Sequence, residues 1–557
     1  MCDTDHSRPT RSRREFIASV GAALLACGNC SYLSAQAASS SDRRARYRRM
    51  NLSDQGAERS LESYERAVTA MLALPPSDPR NWYRHALIHT MDCPHGNWWF
   101  LPWHRAYTGW LERICRDLSG DPEFALPYWD WTESPKLPER FLLGNLNPAN
   151  FKITGFADFK SQFKASVQDF WAALSSAQLR QLTLRDYPAD ALLWANIQND
   201  PPGQPDEASM FSDISFVRLV NPPRTPWLDA LASKAVALST ILDALGPTNF
   251  EDFGSHKASY HSGSAAQGVL ESQPHNLVHN EVGGIVTGPP DRQGFMRDFL
   301  SPVDPIFFMH HSNIDRLWDV WTRKQLLTGQ QQGHPEKYPV VPVIPSDLSA
   351  WMSEPFLFFI GPDGKPVAQQ TSGDYVSTGL FDYDYQPGSG EIVVPKAAPQ
   401  LNTLAGRTIT ATMLPQVASA PNQASGTVKV PRAALPQPVP QQAGTRIMAR
   451  ITTELPPDSR GIRLHVLVNA PVGARNVNFS DAYYAGSFEL FGGHRLGGQR
   501  HDSQVTFTIG LTGSVERLSA ERRFSADSMR LTVVADWPGV SLKTPIIRVP
   551  QITVITS

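Results

Sequence analysis

The chain has 557 residues, more than one hydrophobic core usually supports, so two or more domains are expected. Lys plus Arg (51) nearly balance Asp plus Glu (53), which removes the electrostatic case for a nucleic acid or an anionic membrane as partner. No apolar run is long enough to span a bilayer as a mature helix.

The first stretch, TRSRREFIASVGAALLACGNC, sets Arg13 and Arg14 ahead of Phe16 and an apolar segment from Ile17 to Cys27. With Ala35-Gln36-Ala37 as a cleavage site it resembles a bacterial twin-arginine export signal. Residues 1–37 are therefore expected to be a signal peptide, and the chain periplasmic or secreted. Leu24-Leu25-Ala26-Cys27 also reads as a lipobox, which leaves a lipid anchor at Cys27 as a lesser alternative. Cys2, Cys27 and Cys30 go with this segment. Only Cys93 and Cys115 remain, so the mature chain is not a disulfide scaffold.

Helical patterns follow. LESYERAVTAML places Leu61, Tyr64, Val68 and Met71 at helical spacing, and Pro75-Pro76 stops it. WLERICRDL and IDRLWDVWTRKQLL continue the habit, separated by Pro- and Gly-rich connections such as VTGPPDRQG. Residues 391–445 turn to Pro, Ala, Gln and Ser and read as a linker. Beyond them the period becomes two: GIRLHVLVN alternates Ile462, Leu464, Val466 and Val468, which predicts a β-sandwich-like domain over 446–557.

Three histidine-dense stretches stand out from histidines scattered singly. RNWYRHALIHTMDCPHGNWWFLPWHRAY holds His85, His89, His95 and His104; SQPHNLVHNEVGG holds His275 and His279; SPVDPIFFMHHSNIDRLW holds His310 and His311. Residues four apart on a helix face the same way, so His275 and His279 can share one ion. Imidazole-only sites suit copper, zinc, iron or nickel rather than magnesium or calcium. There is no HExxH for a zinc protease and no paired Glu-x-x-His set for a di-iron bundle. Six histidines with few carboxylates among them point to two ions with three imidazoles each. Such ligation tolerates Cu(I) and Cu(II), hence oxygen binding and two-electron oxidation.

NWWFLPWHRAY, HNLVH and DPIFFMHHSNIDRLW are similar to the copper signatures of the tyrosinase and polyphenol oxidase family, the type 3 dicopper enzymes, in its bacterial form with a C-terminal extension, and LPYWDWT resembles a recurrent stretch of that family. The resemblance implies a mainly α catalytic domain over 38–390, a four-helix bundle around a dicopper site, closed by Tyr383-Asp384-Tyr385. It implies copper ligands His89 (His85 as runner-up), His95 and His104 for one ion, and His275, His279 and His311 for the other. His310 is then expected to point elsewhere. Cys93 matches family members with a thioether to the second ligand, here His95. Glu271 and Asn276 match a pair proposed to hold a water acting as base toward a phenol, and Ile285, Met296 and Phe299 fall where a substrate gate lies. Asp130, Asp304 and Asp315 are expected to hold loops and helices, Arg316 pairing with Asp304.

The implied activity is oxidation of o-diphenols to o-quinones with O2, and o-hydroxylation of monophenols. A catechol oxidase or o-aminophenol oxidase without the monophenol step is the alternative, with an oxygen-binding dicopper protein behind it. Small phenols and O2 are the expected partners. The β-rich tail is expected to shield the site, with Tyr483, Tyr484 or Phe488 of YYAGSFELF as the plug.

Overall fold

The computed structural model describes residues 45–151, 156–185, 187–193, 225–261, 263, 265–286, 292–297, 299–332, 345–395, 411–413, 416–420, 423–428, 446–454, 462–471, 477–489, 491, 504–524, 529–536 and 548–556. The export signal and Cys27 lie outside these residues.

Helix α1 (Glu58–Ala73) buries Leu61, Tyr64, Val68 and Met71, the face its spacing predicts. Helix α2 (Trp82–Asp92) starts where the Asn81 side chain accepts the backbone N–H groups of Tyr83 and Arg84. Every residue of α2 is buried, so it runs through the core rather than over it. Helix α3 (Phe100–Ser119) ends at Gly120, whose φ of 68° is the left-handed conformation that closes a helix without a Cβ clash. Helix α4 (Asn276–Gly283) continues a π turn over Glu271–His275. Pro274 lies inside that turn; it lacks an N–H and its ring crowds the carbonyl four residues back, and the wider register accommodates both. Helix α5 (Ile306–Gln332) completes the set.

Strand β1 (Tyr47–Arg49) pairs in parallel with β2 (Tyr383–Tyr385), joining the start of the helical domain to its end. A buried charge network sits beneath them. Arg49 binds Glu112 at 2.7 Å and Arg105 binds Asp315 at 2.6 Å, and the hydroxyls of Tyr383 and Tyr385 donate to Asp315. Each buried ion here is paired and hydrogen-bonded, the condition under which burial is tolerated. Arg316 lies 3.7 Å from Asp130 rather than pairing with Asp304, because Asp304 turns back to cap α5 through the Ile306 N–H. Cys115 is buried in the core, as its apolar neighbours predict.

The tail is built on two five-stranded sheets, one of which takes its edge strand from the helical domain. One runs β8-β7-β10-β5-β4, with β4 Gln416–Ala420, β5 Gln423–Val428, β7 Arg463–Val468, β8 Tyr484–Glu489 and β10 Met529–Asp536. The other holds the short strand Ala266–Gln267, then β9 (Gln504–Gly510), β6 (Ile447–Glu454), β11 (Arg548–Thr556) and β3 (Ala411–Met413). Ile451, Leu464, Val466, Phe488, Phe507, Leu531 and Val533 fill the space between them. Three of these strands, β3 to β5, fall within 391–445, where composition predicts a linker. QASGTV in β5 has small side chains and joins its sheet through backbone pairing, so it carries no alternation of bulky residues to read.

The tail docks on the π turn. Ala266–Gln267 of the helical domain pairs in parallel with Thr506 and Phe507. The Gly510 N–H donates to Gln273 Oε1 at 3.0 Å, and the Ser272 hydroxyl donates to the Thr508 carbonyl. Gly486 packs so closely on Gln273 that any Cβ there would overlap it.

Candidate metal centre

Two histidine triads converge in the core. His89 comes from α2, His104 from α3, and His95 from the loop between them. Their ring centroids lie 5.3 Å (His89–His95), 5.6 Å (His89–His104) and 5.4 Å (His95–His104) apart. His275 closes the π turn, His279 sits one turn on in α4, and His311 lies in α5. Here the separations are 4.6, 5.0 and 5.2 Å. The triads face each other: His104 and His311 stack at 4.2 Å, and His95 approaches His275 to 5.4 Å.

The hydrogen bonds fix the tautomers. Nδ1 of His89, His104 and His279 lies 2.7, 2.8 and 2.7 Å from the carbonyl oxygens of Phe299, Phe100 and Met296. A carbonyl only accepts, so each Nδ1 carries the proton and each Nε2 keeps a lone pair. His275 Nδ1 donates likewise to Asn276 Oδ1 at 2.8 Å, and its buried Nε2 meets no hydrogen-bond partner among the described residues. The Nε2 atoms of His279 and His311 lie 3.0 Å apart. Burial, reinforced by neighbouring imidazoles, holds His104, His279 and His311 well below the ordinary histidine range, and burial takes His275 down to about 3. These rings are neutral lone-pair donors, and the set fits two borderline-soft metal ions.

His310 does not turn away; its ring lies 4.8 Å from that of His279. Its Nδ1, however, accepts the Trp131 indole N–H at 2.9 Å. The proton of neutral His310 is therefore on Nε2, which has no lone pair to offer a metal. His85 stacks on Tyr107 at 4.8 Å and joins neither triad.

Cys93 Sγ lies 3.0 Å from His95 Nδ1 and 3.6 Å from His95 Nε2, facing the carbon between them. Glu271 Oε1 accepts the Gly96 N–H at 2.6 Å and Oε2 accepts the Ser255 hydroxyl. Burial pushes the Glu271 carboxyl up to about 7 against the pull of both bonds. Asn276 Nδ2 donates to Gln267 Oε1 at 3.0 Å and to the Glu489 carbonyl at 3.2 Å. The Phe299 ring lies 5.5 Å from His95. Met296 reaches the site through its backbone carbonyl, and Ile285 lies in a short strand with Val286, its side chain outside the described residues.

The residue missed in the sequence is Phe491. Its ring lies 4.3 Å from His279, 4.9 Å from His95 and 5.4 Å from His275. Of the expected plugs, Phe488 stacks on Phe507 inside the sandwich at 4.3 Å, Tyr484 is tied to Ser487 at 2.7 Å, and Tyr483 packs against the sandwich core. Phe491 lies just past the end of β8, beyond the strand whose alternation the sequence displays.

Residues 79–324 match the family model described as the common central domain of tyrosinase. The chloroplastic polyphenol oxidase of Vitis vinifera is 25% identical over 348 residues, covering 58% of this chain and 45% of that protein. Tyrosinase HcTyr1 of Hahella sp. is 27% identical over 363 residues, covering 59% of this chain and 61% of that protein. The chain thus spans about half the length of these curated relatives. Among solved structures, a recombinantly expressed latent aurone synthase (polyphenol oxidase) shares the fold with a TM-score of 0.53 at 20% identity, over 92% of this chain and 90% of that one.

Proposed function

The chain belongs to the tyrosinase and polyphenol oxidase family, and from that premise we propose that it oxidises o-diphenols to o-quinones with O2, and hydroxylates monophenols at the ortho position. The observation that carries this reading is the facing of two three-imidazole sets across stacked and close ring contacts, with the Nε2 atoms of His279 and His311 3.0 Å apart. His89, His95 and His104 would hold one copper ion, and His275, His279 and His311 the other. When bound, the copper pair supplies the redox couple and the Lewis acidity toward phenol oxygens.

The protein supplies orientation and exclusion of water. Three backbone carbonyls and the Asn276 amide fix imidazole direction, as outer-shell partners of metal-binding histidines generally do. Phe100, Phe299 and Phe307 line the rings with apolar surface on which a phenol can pack. Glu271 is assigned, with Asn276, to hold the water that takes the phenol proton. A phenol titrates near about 10, and a carboxylate raised to about 7 is the stronger base for it. One observation favours the narrower reading of a diphenolase alone: both Glu271 oxygens are already engaged by Gly96 and Ser255.

The tail is read as a shield, with Phe491 occupying the approach to the histidines, and residues 1–37 as a twin-arginine export signal. The test is a panel of mono- and diphenols with copper analysis, before and after limited proteolysis of the full chain. Two copper per chain and quinone formation that rises on cleavage are expected. Zinc, or no turnover of any catechol, removes the oxidase assignment. Unchanged kinetics after removal of the tail removes the shield.

A further inference from the structure

The tail presents the site with two groups, not one. Two residues before Phe491, the buried Glu489 carboxylate of β8 reaches into the helical domain. There it accepts Arg297 Nη2 at 3.0 Å and Asn280 Nδ2 at 3.0 Å; Arg463 of the tail itself binds the other oxygen. Both receiving groups adjoin the metal centre. Asn280 follows His279, and Arg297 follows Met296, whose carbonyl orients His279. Arg297 is held in place by donating Nη1 to the Asn280 carbonyl at 3.2 Å, which leaves Nη2 aimed at the anion.

The geometry points to Arg297, with Asn280 beside it, as an anion subsite that selects phenols carrying a carboxylate. Glu489 and Phe491 occupy the places of the substrate's carboxylate and ring. The inference rests on the oxidase reading above and names its substrate class.

With the tail docked Arg297 is only 5% exposed, so removing the Glu489 carboxylate there leaves a buried guanidinium without a close partner, which is strongly unfavourable. The charged groups facing it are Glu489, Arg463 and Glu281. Of these only Glu281 belongs to the helical domain. Its carboxylate is engaged elsewhere, accepting the Asp229 backbone N–H at 3.3 Å. When the tail withdraws, Arg297 loses its close carboxylate, and an acidic substrate restores one. A neutral catechol of the same shape does not.

Three full-length proteins test this: Phe491→Ala, Phe491→Ala with Glu489→Ala, and both with Arg297→Gln. Glu489→Gln, which keeps the side-chain shape, is run in parallel with the alanine. The readout is kcat/KM for dihydrocaffeic acid divided by that for its methyl ester. Charged hydrogen bonds of this kind carry about tenfold or more. The ratio should rise about tenfold when Glu489 is removed and fall back when Arg297 is also replaced. A ratio that stays flat across the series, or acid and ester rates that fall together on losing Arg297, overturns the subsite while leaving the oxidase standing. Failure of every protein to oxidise either compound overturns the oxidase reading and the subsite with it.

Discussion

The phenyl ring of Phe491 lies 4.3 Å from the imidazole of His279, although the two are brought together only by docking of the β tail on the helical domain. A ring in that place excludes a phenol of similar size. Replacing it with alanine leaves the sandwich core untouched, because Phe488 and not Phe491 fills that core. Phe491→Ala in the full chain should therefore raise kcat/KM for catechol by about tenfold or more, the gain expected if the closed state dominates by about 1.4 kcal/mol. Phe491→Trp should stay as slow as the parent. Catechol kinetics on the two proteins decide it, and equal rates would remove Phe491 from the approach path.

Cys93 and His95 form the next prediction. The sulfur already lies within 3.6 Å of both imidazole nitrogens, so a thioether to the carbon between them requires little movement. Bond formation removes the thiol hydrogen and a ring hydrogen and passes two electrons to an oxidant; O2, the co-substrate of the proposed activity, would be that oxidant. Intact-mass and peptide analysis of the copper-loaded protein should show a species lighter by those two hydrogens, with Cys93 and His95 cross-linked. Cys93→Ser should keep the fold but weaken copper retention by about tenfold, the lower range for losing an outer-shell support. A free thiol that reacts fully with a maleimide after copper loading would rule the bond out.

Helix α1 is legible from its apolar face, and His275 with His279 from a four-residue spacing; His89, His95, His104 and His311 are reached only through the family resemblance, and His95 lies on a loop that carries no period. The π turn was not legible. Pro274 marks a disturbance but does not say which way the register shifts. The expected partner of Arg316 is Asp304, whereas its observed partner Asp130 comes from another segment. Long-range partners of this kind leave no periodic trace. The same holds for Glu489, which looks like any strand-end glutamate until Arg297 and Asn280 arrive from the other domain. Strand β5 is hidden for a different reason: Ala424, Ser425 and Gly426 offer no alternation of bulky residues to read.

His310 and His311 are adjacent and equally buried, yet their hydrogen bonds separate their roles. His310 receives the Trp131 N–H, whereas His311 brings Nε2 to within 3.0 Å of His279 Nε2. His311→Ala should lower copper from two to one per chain. His310→Leu should keep two, but lose about 1–3 kcal/mol of stability because the buried Trp131 N–H is left without an acceptor. Metal analysis alongside urea unfolding separates the two cases. Loss of copper in His310→Leu at unchanged stability would reverse the assignment.

Asp243 carries a pH dependence into the domain interface. It lies on the helix Leu238–Leu245, buried against Gly510 and Thr512 of the tail, with Arg446 at 3.7 Å. Burial pushes its carboxyl up to about 7 and outweighs the Thr512 hydrogen bonds and the Arg446 charge, which pull it down. The sign follows. An unfolded aspartate titrates near about 3.9, so between there and about 7 the folded chain holds a proton that the unfolded chain has lost. Stability from this group is complete below the lower value and declines as pH rises through the window, by about 1.4 kcal/mol per unit at most. Because Asp243 touches the tail, the decline should appear as faster proteolytic release of the tail at the upper end of the window. Asp243→Asn keeps the shape without the charge, and should flatten both the urea-midpoint profile and the proteolysis profile across that range. A variant whose profiles slope like those of the parent would place the titrating group elsewhere.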